Sequence, residues 1–272
     1  MKSKFLVGMA ALMFAAACAQ TPDKPSNKEP VPTPKPQVSV DPTLAKSALT
    51  IDGRSDEDKS RDAVRKPVET LQFIGVKPGD VVVELEAGGG YFTTLLAFMV
   101  GKEGKVYMQN PASFDQFWGG SNPPRMKILP EQVTYLRSQF DDLSAISDGA
   151  VDKVTWLMGP HELWYQPKGA TEGLGDPDMT FREIARVLKD GGELIVQDHR
   201  AAIGSDTSTG GDTHRIDQNH IDKLAASAGL IKKEESDLFA HPDDDMTLNV
   251  FDEAIRGKTD QFLVRYKKDG SY

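Results

Sequence analysis

Residues 81–97 read VVVELEAGGGYFTTLLA. Val81–Leu85 is a short apolar run broken only by Glu84, which is how a strand buried on both faces reads. Glycines follow at 88, 89 and 90. From Tyr91 to Val100 the pattern becomes that of an apolar helix, stopped by Gly101. Glycine at such a junction serves one of two ends. It lets the backbone approach a ligand, or it lets the strand and the helix pack closely. The stretch alone leaves both open.

The flanking sequence repeats the alternation. Upstream, Pro67 fits the first turn of a helix in which Val68, Leu71 and Ile74 share a face and Gly75 ends the run. Downstream, strands are predicted over Lys105–Gln109, Val133–Ser138, Asp152–Met158 and Glu193–Gln197. Phe181, Ile184, Ala185 and Leu188 form one helix face, and Ile221, Leu224, Ala225 and Ala228 another. Leu230–Ser236 and Gln261–Lys267 read as two last strands joined by a loop, which predicts an antiparallel pair. The sum is an open α/β sheet with helices on both faces.

Composition narrows the function. The 272-residue chain has a formal net charge of −9, and an acidic surface argues against nucleic acid, whose phosphates need cationic partners. Its start, MKSKFLVGMAALMFAAACAQ, has Lys2 and Lys4 before an apolar run, Phe5–Ala17, too short to span a bilayer. Residues 1–18 therefore read as a signal segment. Seven of the seventeen prolines fall between Thr21 and Pro42, so residues 19–45 read as an extended tether. Residues 46–272 form the folded domain, expected to be a monomer acting on a small molecule or an envelope component. Cys18 is the only cysteine, which leaves the domain without thiols and suits an oxidising compartment.

Four stretches, VVELEAGGGYFT, GKVYMQNP, REIARVLKDGGELIVQDH and RGKTDQFLVRY, resemble the motifs of class I S-adenosylmethionine-dependent methyltransferases. A closer likeness, over residues 57–268, is to a group of bacterial predicted methyltransferases that carry signal peptides. It rests on RDAVRKPVETLQFIGVKPGDVVVEL, QDHRA, THRID and RGKTDQF. The resemblance implies a Rossmann-like seven-stranded sheet with its last strand antiparallel, and S-adenosyl-L-methionine as cofactor. It also implies a cofactor site in which Gly88 and Gly90 shape the loop and Glu84 holds the methionine ammonium. At three places the family's residue is replaced. Glu86 stands where the first loop glycine is usual, and Asn110 stands where an acid takes the ribose hydroxyls. Gln139 stands at the adenine position, with Asp141 and Asp142 close enough to substitute. The residues Ala15-Ala16-Ala17-Cys18 resemble a lipoprotein cleavage box, with Ala15 where leucine is commoner. That implies lipidation of Cys18 and, with Ala19 rather than aspartate next, an outer-membrane anchor facing the periplasm. The other reading is a plain signal peptide ending near a cysteine.

Ligands bind beyond the carboxyl ends of the strands in such sheets, which singles out three residues for chemistry. His161 follows the fourth strand as a possible base, or as a loop histidine bonded to a carbonyl. His199 and Arg200 end the fifth strand. Arg200 would clamp an anionic group or simply pair with an acid. His214 and His220 do not have the spacing of a zinc motif, so no metal site is expected, and Asp243–Asp245 reads as an exposed acidic loop. Two functions stand open: a methyltransferase, or a methyltransferase-like binding module that has lost the cofactor.

Overall fold

The computed structural model describes residues 41–168 and 170–270. Cys18 and nearly all of the tether lie outside these residues. Among the described residues no helix is long and apolar enough to cross a membrane.

The chain first forms three helices, α1 (Pro42–Ser47), α2 (Asp56–Arg65) and α3 (Pro67–Ile74). Strand β1 (Val81–Leu85) leads into α4 (Tyr91–Val100), followed by β2 (Lys105–Asn110), β3 (Val133–Arg137) and β4 (Val151–Leu157). Helix α5 (Pro177–Val187) precedes β5 (Leu188–His199). Helices α6 (Thr209–Thr213) and α7 (Gln218–Ser227) precede β6 (Leu230–Ser236) and β7 (Gln261–Lys268). The seven strands make one sheet in the order β3-β2-β1-β4-β5-β7-β6. Pairs from β3 through β5 are parallel, and β7 runs antiparallel to both β5 and β6. This is the class I methyltransferase fold, as expected. The order reverses between β1 and β4, which opens a crevice at their carboxyl ends.

Alternation along each strand divides the core. Val83, Leu85, Val154, Trp156, Leu194 and Val196 face α5 and α7. Val82, Val106, Met108 and Ile195 face α1, α3 and α4 with Leu71, Leu95 and Leu96. Both sheet faces are thus dry, which is why the central strands read as unbroken apolar runs.

Three features differ from the sequence reading. The folded part begins before residue 46: Asp41 caps α1 through the Thr43 amide, Pro42 starts it, and Ala45 is fully buried. A proline that would stiffen a tether here opens a helix. Helix α2, DEDKSRDAVR, has almost no apolar face. It is set instead by a capping box in which Ser55 and Asp58 exchange side-chain and backbone bonds. The acidic run at 243–245 is not all surface, because Asp244 is buried and takes two bonds from the fully buried Arg215 guanidinium, at 2.8 and 3.1 Å. Asp244 also accepts the Asp260 amide at 2.7 Å.

That pair ties the long connection between β6 and β7 to the segment after β5. Asp244→Ala should lower stability by about 3–5 kcal/mol, because it strands a buried cation. Denaturant unfolding of the variant against the parent measures this, and a loss below about 1 kcal/mol would show that water reaches Arg215.

Candidate active site

The glycine loop leaves β1 through three residues of positive φ: Glu86 at +53°, Gly88 at +55° and Gly90 at +82°. The reasons for the glycines differ. A Cβ on Gly90 would come within 3.0 Å of Arg125 Cδ and 3.1 Å of Met108 Cε, so this glycine serves packing as well as conformation. A Cβ on Gly88 or Gly89 would meet nothing within 4 Å. Those two glycines border open space.

That space is a cleft of about 820 Å³. Its floor is the loop and Glu84, and one wall is Arg61 and Arg65 of α2. Phe114 and Trp118, from the segment after β2, also line the cleft. The α4 amino terminus, with its unpaired first-turn amides, opens beside the loop. Helix α2 is fastened over the cleft at two points. Asp58 pairs with Arg125 at 2.7 Å, and Asp62 pairs with Arg54 and accepts the Tyr91 hydroxyl at 2.5 Å. Burial and the Asp62 carboxylate raise the Tyr91 phenol above its ordinary pKa. None of these partners was singled out by the sequence. The one available signal was the capping-box pattern at Ser55–Asp58.

Glu84 is the buried acid of the cleft. Its carboxyl accepts from Thr93 Oγ1 at 2.5 Å, and burial pushes it up to about 8 despite that bond and the nearby Arg65 and Arg125. Without a cation beside it the group is therefore largely neutral at pH 7. Glu86 turns its carboxyl away from the loop to accept from Trp156 Nε1 at 3.0 Å. Burial and the charge of Glu162 raise its pKa well above the carboxylate range.

Of the predicted site residues, Gly90, Asn110, Gln139, Asp141, Arg200 and the two histidines do not line the cleft. Asn110 is fully buried and spends its amide on the loop: Oδ1 accepts the Gly88 N–H at 2.7 Å, and Nδ2 donates to the Gly88 carbonyl at 3.0 Å. It braces the loop from behind and, fully buried, does not reach the cleft surface. Gln139 donates to the Gly173 carbonyl at 3.1 Å, and Asp141 accepts the Asp176 amide at 2.9 Å. Both fasten the approach to α5. Arg200 is engaged by Asp260 at 3.1 Å, Gln218 at 2.7 Å and Glu235 at 3.4 Å.

The two predicted histidines do converge. His199 lines a second cavity of about 370 Å³, which shares Arg61, Arg65, Phe92 and Met158 with the cleft. Its Nδ1 lies 2.8 Å from Thr259 Oγ1, and burial with the nearby charge of His161 lowers it to about 3. It is a neutral imidazole. His161 sits in the 3₁₀ turn Pro160–Trp164 and is buried. Asp198 takes both its backbone N–H and its Nδ1, each at 2.7 Å. Burial opposes the charge of this ring, but Asp198 prevails and raises it to about 10. Its Nε2 lies 3.1 Å from His214 Nδ1 and 3.4 Å from Glu162 Oε1. Burial works to raise Glu162, yet hydrogen bonds from the two imidazoles hold it below the usual range. His161, Glu162 and His214 thus form a cluster able to hold a metal ion, which the linear spacing gave no reason to expect.

No family model matches the chain. It is similar to the ubiquinone/menaquinone biosynthesis C-methyltransferase UbiE of Shewanella sp. strain W3-18-1, 27% identical over 127 residues, 47% of this chain and 45% of that protein. The chain thus spans less than half the length of that relative. UbiE of Pectobacterium carotovorum is 24% identical over 190 residues, 68% of this chain and 69% of its own. Among solved structures, a SAM-dependent methyltransferase from Aquifex aeolicus superposes with a TM-score of 0.53 at 19% identity, covering 84% and 98% of the two chains. A geranyl diphosphate C-methyltransferase from Streptomyces coelicolor, bound to Mg2+, geranyl diphosphate and S-adenosyl-L-homocysteine, gives 0.50 at 16% identity, covering 83% and 90%. These likenesses agree on the fold.

The raised pKa of Glu84 has a thermodynamic consequence. Its ordinary value is 4.5 and its folded value about 8, so the folded chain holds one more proton than the unfolded chain between those pH values. This contribution is fully present below about pH 4.5 and is lost as pH rises toward 8, a change on the order of a few kcal/mol. Glu84→Gln should remove that part of the slope. Urea melts of both proteins from pH 4.5 to 8.5 measure it, and parallel curves would mean that Glu84 is already ionised at neutral pH.

Proposed function

We propose that this chain is a methyltransferase that binds S-adenosyl-L-methionine in the cleft beside Gly88 and Gly89 and accepts a small substrate in the adjoining cavity. The observation that carries the reading is the position of Glu84. A buried carboxyl lies at the end of β1, on the floor of an 820 Å³ cleft at the sheet's switch point. Burial disfavours the ionised carboxyl even with Thr93, Arg65 and Arg125 nearby, and a ligand ammonium in contact would favour it. The aromatic side chains after β2 offer faces for a purine, and the α4 amides suit a carboxylate.

The second cavity, with Val64, Phe92, Val250 and Phe251 beside neutral His199, suits a compact, largely apolar acceptor. The named activity of the UbiE relatives, C-methylation in quinone biosynthesis, is compatible with such an acceptor. We propose further, from the basic and apolar residues before Cys18, that the chain is carried into the cell envelope and anchored by lipid on Cys18, facing the periplasm. Cys18→Ser should then move the protein from the membrane fraction to the soluble fraction. Unchanged partitioning after fractionation would remove the anchor.

A binding module without methyl transfer is favoured by two observations. Glu86 occupies a positive-φ position usually given to glycine, and Asn110 is engaged with Gly88. Calorimetry of the full chain with S-adenosyl-L-methionine separates the readings. Binding should release a proton below pH 8, as Glu84 ionises against the ammonium, and affinity should rise with pH until that value. Glu84→Ala should weaken binding about tenfold or more, the worth of one hydrogen bond to a charged group. No heat or thermal shift at millimolar ligand would favour the binding module.

A further inference from the structure

His161, Glu162 and His214 each turn one ligand atom toward a common point. The three edges of that triangle are 3.1 Å from His161 Nε2 to His214 Nδ1, and 3.4 Å from each of these nitrogens to Glu162 Oε1. A tetrahedral ion with bonds of about 2.0–2.1 Å separates its ligands by about 3.3–3.4 Å. The triangle has the size of one face of that tetrahedron. We propose that this cluster binds a divalent first-row transition metal of the zinc class. His161 Nε2, His214 Nδ1 and Glu162 Oε1 are the ligands, and the fourth position is left open.

The surroundings orient the ligands. Asp198 is fully buried and accepts His161 Nδ1–H at 2.7 Å, which leaves Nε2 as the nitrogen facing the cluster, its proton displaced when an ion binds. Carboxylate behind histidine is the usual outer support of a metal-ligating imidazole. Asp198 is itself held, since it accepts the backbone N–H groups of His161 and His199 at 2.7 Å.

His214 is brought in from a distant part of the chain by two glycines. A Cβ on Gly210 would lie 2.5 Å from the His161 carbonyl oxygen, and one on Gly211 would lie 3.0 Å from that of Trp164. Only glycine lets α6 lie against the turn that carries His161 and Glu162. His214 then caps α6 at φ +55°, a conformation that histidine adopts uncommonly, and its ring packs between Tyr165 and Phe251 at 5.2 and 4.9 Å. Two imidazoles and one carboxylate favour borderline ions such as Zn2+, Co2+ and Fe2+ over Mg2+ or Ca2+, which prefer all-oxygen shells. The competing arrangement is a proton shared between the two rings, with Glu162 as acceptor.

The test uses the full chain, stripped with a chelator and titrated with Co2+ and then Zn2+. Uptake of about one ion per chain is expected, with the intense visible absorption of four-coordinate cobalt, bleached by Zn2+ and insensitive to millimolar Mg2+. Glu162→Gln and His214→Ala should each weaken uptake by about tenfold or more. Asp198→Asn, a positioning change, should weaken it by roughly 10–100-fold while leaving one ion bound at saturation. X-ray absorption at the zinc edge of the parent should count two imidazoles, a readout independent of how any variant folds. A pale six-coordinate cobalt spectrum, an edge spectrum without imidazole, or equal uptake by the parent and folded Glu162→Gln would overturn the proposal and leave the shared-proton arrangement.

Discussion

The two hydrogen bonds between the Asn110 side chain and the Gly88 backbone are the joint on which the site is built. A loop of positive-φ residues between a strand and a helix has few partners of its own. Here the end of β2 and the segment after it supply them. Asn110 satisfies both polar groups of Gly88, Gln109 accepts the Glu86 and Ala87 amides, and Arg125 reaches the Gly89 carbonyl. With its own polar atoms satisfied from behind, the loop presents a bare backbone surface to the cleft. The same Arg125 holds Asp58 of α2, so the floor and the cover of the cleft share one side chain.

Acids gather along the carboxyl edge of the sheet, Glu84 and Asp198 buried and Glu86 and Glu162 partly so. Their environments separate them into different states. Glu84 and Glu86 are pushed toward neutrality by desolvation, while Glu162 is held ionised by two imidazoles. Such an arrangement contributes little to folding, since buried charge must first be stripped of water. It concentrates titratable groups of contrasting character where the fold leaves room for ligands.

The fold was readable because its signals are local. The runs Val81–Leu85, Tyr91–Val100 and Leu230–Ser236 match the observed elements residue for residue. β5 extends back to Leu188 because that residue pairs with Val151 across the turn, a contact no periodicity reveals. Helix α2 escaped because caps and ion pairs, rather than an apolar stripe, hold it. The site was legible only in part. Glu84, at the end of β1, lines the cleft, His199 lines the adjoining cavity, and His161 lies in the turn after β4. Strand ends could not tell that the Asn110 side chain turns back to Gly88, or that Arg200 is absorbed by Glu235 on β6 and by Asp260 just before β7. The meeting of His214 with His161 depends on two glycines in TGGDT, a composition that argues against a helix.

Gly88 and Gly89 stand next to Gly90, yet they answer to different demands. At Gly90 a larger side chain collides with the protein itself, whereas at Gly89 it would project only into the cleft, from a backbone that any residue can adopt. Neighbouring positions of one loop are thus under separable selection, one for a chain that folds and the other for whatever fills the space. If the lineage ever ceased to need a ligand, drift would reach residue 89 first, and a side chain appearing there in a sister protein would be the earliest visible trace of a lost activity.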